Sequence, residues 1–127
     1  MIDKEKEIFD TVANKLRAKF NDIYVVGTEL TSTPPRFPAV SLIQTNNSIR
    51  NEHATFYCLE NVVSEDYKAE VFSNLEEGKE AQTKEITSVI SDVMRDLEYA
   101  RTFCEVIVNA DPTINRRVSR YRKNNVI

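Results

Sequence analysis

The sequence predicts an α+β fold, a mainly antiparallel sheet with two helices packed on it, in the order α-β-β-β-α-β-β. Three observations lead there. From residue 66 the chain alternates, with Tyr67, Ala69, Val71 and Ser73 on one face of a strand and Lys68, Glu70, Phe72 and Asn74 on the other. Phe72 implies that the second face is not simply a wet one. After a turn at Gly78, Ile86, Val89, Ile90, Val93 and Leu97 recur at spacings of three and four, the apolar stripe of a helix lying on a sheet. Nearer the start, Ile8, Val12, Leu16 and Phe20 recur every four residues and mark a second such helix.

Taken in order, the first helix is expected over residues 4–20, with Asp3 as its cap and early acidic residues suiting the positive end of the helix dipole. A short β-type run over 23–26 stops at Gly27. Residues 28–38, TELTSTPPRFP, carry three prolines that remove backbone donors, so an irregular, stiff approach to the next strand is expected there. A ligand for a proline-reading module, through Pro35 and Pro38, is the weaker reading. The strand over 39–45 sets Val40, Leu42 and Gln44 against Ser41 and Ile43, and residues 46–50 read as a polar turn. Residues 55–63, TFYCLENVV, are again rich in β-formers and extend a hairpin rather than form a separate strand. A long strand over 64–75, a turn over 76–79 and a helix over 81–99 follow. The run 101–109 reads as a buried or half-buried strand through Phe103, Val106, Ile107 and Val108, and Asp111-Pro112 breaks it. Residues 113–122 fit either a helix stripe or a returning strand. The short break before them favours the strand, with Arg116, Arg120 and Arg122 sharing the face of Ile114 and Val118.

Composition bounds the rest. The 127 residues suit a single domain, and 41% hydrophobic with 29% charged residues is the balance of one core in a soluble protein. No run approaches the roughly 18–20 apolar residues of a membrane helix, so no membrane partner is expected. The charged start, MIDKEKEIFD, lacks the apolar centre of a secretory signal, so the mature chain is expected to begin there. Two cysteines, Cys58 and Cys104, are no disulfide framework and are expected as free, partly buried thiols. Net charge is −3, but five of the 17 basic residues, Arg116, Arg117, Arg120, Arg122 and Lys123, fall in the last stretch, where no acidic residue occurs. The remaining 12 basic residues stand against 20 acidic ones, so an acidic body of −8 carries a basic end. Such asymmetry concerns partners more than fold.

The chemistry-bearing residues form no catalytic pattern. The single histidine, His53, sits in a polar stretch, and its spacing from Cys58 and Cys104 matches no compact zinc motif. Cys104 lies in an apolar run and reads as core rather than nucleophile. Two glycines cannot build a phosphate-cradling loop. Glu76, Glu77 and Glu80 suit a helix start. No catalytic residue, cofactor or metal is therefore expected. The basic end has three readings: phosphate contacts in a small nucleic-acid-binding module, with Tyr121 as a stacking platform; a subunit interface with Arg–carboxylate pairs; or a solvated strand end.

Three segments, FPAVSLIQ at 37–44, YKAEVFSNLEEGK at 67–79 and INRRVSRYR at 114–122, together with the first helix, resemble the tail terminator (tail completion) proteins of tailed bacteriophages and prophages. Order, length and spacing carry the likeness. It implies a non-enzymatic α+β subunit that closes into a ring, usually six-fold, at the head-proximal end of the tail tube. Its partners would be further copies of itself, the tail tube protein and the head–tail connector or neck protein. DNA would pass through the lumen without being read. The place would be the virion, after assembly in the host cytoplasm. A head-completion (stopper) protein of the same junction is the nearest alternative. By segment, the resemblance assigns residues 46–63, with His53, Phe56 and Tyr57, to contact with the tube or ring axis. It assigns Arg116, Arg117, Arg120, Arg122 and Lys123 to subunit interface or lumen. Ring contacts would also account for apolar side chains such as Phe56, Tyr57 and Phe72 on outer faces.

Overall fold

Two helices and five strands follow one another in the predicted order in the computed structural model, which describes residues 4–31, 33–49 and 62–126. They are α1 (Glu5–Lys19), β1 (Tyr24–Val26), β2 (Ala39–Ile49), β3 (Val62–Ser73), α2 (Lys79–Asp96), β4 (Ala100–Ile107) and β5 (Asn115–Val126). The sheet order is β1-β2-β3-β5-β4, with β1 parallel to β2 and every other neighbour antiparallel. The chain is thus α+β, and its last element is the strand that the Asp-Pro break favours.

Both helices lie on one face of the sheet because both present a single apolar stripe. Ile8, Val12 and Leu16 of α1 and Ile86, Ile90 and Met94 of α2 close over Val40, Leu42, Tyr67, Ala69, Val71 and Tyr121. Burying each such aliphatic side chain is worth about 1.5–3 kcal/mol. The Tyr67 and Tyr99 rings meet edge to face, with centroids 5.4 Å apart. Gly78 holds the left-handed conformation (φ 84°) at the start of α2, a turn geometry that costs glycine nothing. At the far end Glu98 takes φ 70°, while the amides of Glu98 and Tyr99 return to the carbonyls of Arg95 and Met94. That closure sends the chain straight into β4.

Tyr99, 4% exposed, donates a 2.6 Å hydrogen bond to the buried Glu65 carboxylate. The Lys123 ammonium stands over the Tyr99 ring at 5.5 Å. Burial first, then the bond to Glu65, pushes the Tyr99 phenol far above the usual tyrosine range.

The second face is partly closed, as Phe72 implies. Phe72, fully buried, forms a small second core with Ala39 and Ile114, and Tyr24, Leu30 and Phe37 pack against it. Tyr24, Leu30 and Phe37 come from β1 and from the proline-rich segment that follows it, which folds over one end of the sheet. The Ser41 hydroxyl ties that segment down by donating to the Thr28 carbonyl at 2.7 Å. Phe72 is therefore a core side chain and not an apolar residue left for a neighbouring subunit.

Several boundaries and one burial expectation change. Residues 46–49 are strand, not turn: β2 continues to Ile49 past a register shift between Gln44 and Asn46 and keeps pairing with β3. Local polarity suggested a turn, but an existing partner strand supplies hydrogen bonds that polar residues accept as readily as apolar ones. β3 starts at Val62 and ends at Ser73, while α2 starts at Lys79 and ends at Asp96. Of the run expected to be buried or half-buried, Phe103 and Ile107 are half-buried on the edge strand β4, while Val106 at 46% and Val108, just past its end, at 93% are exposed. Its apolar residues looked like core because an edge position is invisible in a single strand's pattern.

Two stability measurements check this packing. Phe72→Ala is expected to cost about 3–5 kcal/mol in urea unfolding, a core value rather than a surface one. The raised pKa of Tyr99 gives stability that is fully present below the unfolded value of 10.0 and is lost as pH rises beyond it. Tyr99→Phe should therefore make the stability profile above pH 10 shallower, by up to about 1.4 kcal/mol per pH unit.

Candidate interaction surface

The sheet face opposite the helices is charged by alternation. β3 and β5 pair along their whole length, with Asp66 opposite Arg122, Lys68 opposite Arg120, Glu70 opposite Val118 and Phe72 opposite Arg116. Because side chains alternate across a strand, these eight share the open face while Tyr67, Arg117, Tyr121 and Lys123 share the helix face. Like charges directly opposite repel, so Lys68 and Arg120 need other partners.

Lys68 finds two. Its ammonium lies 2.8 Å from Glu29 and 3.0 Å from Glu70. Burial works against its charge, but the hydrogen bonds to Glu29 and Glu70 outweigh burial and hold its pKa above the ordinary lysine value. The bond from Lys68 correspondingly lowers the Glu29 carboxyl below its usual value. Glu70, 1% exposed, also receives the Arg116 guanidinium, through Nε at 2.6 Å and through a close Nη2 contact. Arg116 stacks over Phe72 at 5.7 Å. Farther along, Arg122 meets Asp66 bidentately at 2.7 and 3.0 Å. The result is an ionic lattice, Glu29–Lys68–Glu70–Arg116, with Asp66–Arg122 beside it.

The five cations of the basic end therefore do not form one patch. Arg116 and Arg122 are paired within the chain on the open face. Lys123, on the helix side, donates to the Leu97 carbonyl at 3.1 Å and lies 3.7 Å from Glu98. Arg120 stays exposed on the open face. Arg117 alone turns into a groove between α2 and β4. Three of the five thus stabilise the subunit itself. Sequence reasoning missed Glu70 and Asp66 as the partners of Arg116 and Arg122, although acidic and basic residues of matching period two on two strands were a usable signal. His53, Phe56 and Tyr57 lie outside the described residues, as does Cys58. Cys104 is a free, partly buried thiol, as expected, but it lies on the edge strand β4 and not in the core.

Among the described residues, no group of three or more His, Cys, Asp or Glu side chains could hold a metal ion, and no helix is long and apolar enough to cross a membrane. A scan against protein-family models and a search of curated proteins each find no match to the chain.

The lattice separates structural from available arginines. Arg116→Met leaves the Glu70 carboxylate buried with only Lys68 against it and is expected to cost about 3–5 kcal/mol in chemical denaturation. Arg120→Ala, on the exposed side chain, should fall within about 0.5 kcal/mol of the parent chain.

Proposed function

We propose that this chain is a structural assembly subunit of the phage tail terminator type. It closes into a ring, six-fold, on the head-proximal end of a tail tube, ends tube growth and receives the head connector. The role is mechanical and not enzymatic.

The observation that carries this reading is the bare outer edge of β4. Among the described residues no strand lies beyond it, and Val106 and Val108 stand exposed at its end. Exposed edges with apolar residues invite pairing with another chain, and Arg101 and Glu105, both exposed on the same strand, restrict which chain that is. The opposite edge, β1, is only three residues long and runs parallel to its neighbour. A contact between two unlike edges is head-to-tail, and such a contact closes into a ring when the rotation permits. The β2–β3 arms add support: both run on past the register where β4 begins, out to Ile49 and Val62, and so reach beyond the four-strand part of the sheet.

Lysates of a host producing the phage without this protein should contain overlong or unjoined tails; tails of normal length and attachment would sink the proposal. Val106→Lys combined with Val108→Lys should lower the ring population seen by light scattering of purified protein or tail complexes, while leaving the circular dichroism of the subunit intact.

A further inference from the structure

We infer that the groove between α2 and β4 is a binding site for a phosphate group, with Arg117 as its fixed donor. This site does not rest on the ring reading, although Arg101 of β4 borders both this groove and the strand edge.

Two helices cannot cover five strands. α2 lies over β3 and β5, and β4 overhangs, leaving a groove of about 740 Å3 along the flank of the helix. That size is in the range of small-molecule sites. Its wall is a second stripe on α2, at helical spacing and polar: Lys84, Thr87, Ser88, Ser91 and Arg95. Across from it stand Arg101 of β4 and Arg117 of β5. Four cations face one acid, Asp92, which lies 3.3 Å from Arg95 and is occupied by it.

The decisive feature is an interrupted row of hydrogen bonds. Thr83, Thr87 and Ser91 lie one turn apart along α2, above the inward residues of β5. Thr83 bonds Asn115 at 2.7 Å and Ser91 bonds Tyr121 at 2.8 Å. Thr87 sits between them, 3% exposed, and its hydroxyl has no hydrogen-bond partner among the described residues. Arg117 falls between Asn115 and Tyr121 on β5, and its Nε is likewise buried without one. Leaving such groups unmet costs about 1–3 kcal/mol each, more for a charged one. A guanidinium offers only donors, so whatever completes the row must be an acceptor. A carboxylate needs one arginine fork. A tetrahedral phosphate can take that fork together with hydroxyls from Thr87 and Ser88 and the charge of Lys84, which approach from another side.

Amide NMR shifts of the full chain would be followed on adding inorganic phosphate, a short duplex DNA, or sodium acetate, each against chloride at equal ionic strength. Phosphate should move the amides of α2 around Thr87 and of β5 around Arg117. Its affinity should fall about tenfold or more in Arg117→Met. It should fall several-fold in Lys84→Ala, an exposed position whose change leaves folding intact. Tighter binding of DNA, lost in the same variants, would identify the phosphate as that of a nucleic acid backbone; binding of phosphate but not DNA would identify a free phosphorylated molecule. No shift beyond chloride, equal response to acetate, or affinity unchanged in both variants would overturn the inference.

Discussion

The full-length pairing of β3 with β5 is the constraint on which the other contacts depend. One face of that ribbon carries Tyr67, Ala69, Val71 and Tyr121 into the core. The other carries Asp66, Lys68, Glu70, Arg116 and Arg122. A slip of β5 by one residue would turn Tyr121 outward and carry Arg116 and Arg122 under the helices. Helix packing, the ionic lattice and the position of β4 all follow from that one register.

The ions on the open face are better understood as register marks than as a store of stability. Desolvating Glu70 offsets much of what Arg116 and Lys68 return, so a buried network of this kind adds little net stability once formed. Breaking it is another matter, because a carboxylate without its guanidinium is worse than either alternative. The lattice thus penalises wrong pairings of β3 and β5 more than it rewards the right one. It also changes the meaning of the basic end, since a cation already neutralised from within contributes little to steering a polyanion.

What remains for partners lies at the periphery. The edge of β4, with no strand beyond it among the described residues, offers backbone groups and two exposed valines. The flank of α2 offers cations and hydroxyls without matching acceptors. Both arise from one geometric fact, that β4 extends past the helical layer. A chain of this size spends its apolar stripes on one core, so surplus sheet is left to meet something else.

Much of this was legible in the sequence, because the periods of two and of about 3.6 are written locally. Alternation at 66–73 and the stripe from Ile86 to Val93 determined strand, helix and their order, and Phe72 flagged a second buried face. Tertiary structure alone decided the rest. It made residues 46–49 strand, since β3 supplies their partner. It placed β4 at an edge, since strand order does not show in one strand's own pattern. It paired Arg116 and Arg122 with Glu70 and Asp66 on the open face, and set Arg117 opposite an unmatched Thr87. The physical reason is the same in each case: a side chain's own pattern says which face it wants, but its partner is chosen by residues distant in sequence and brought close by the sheet.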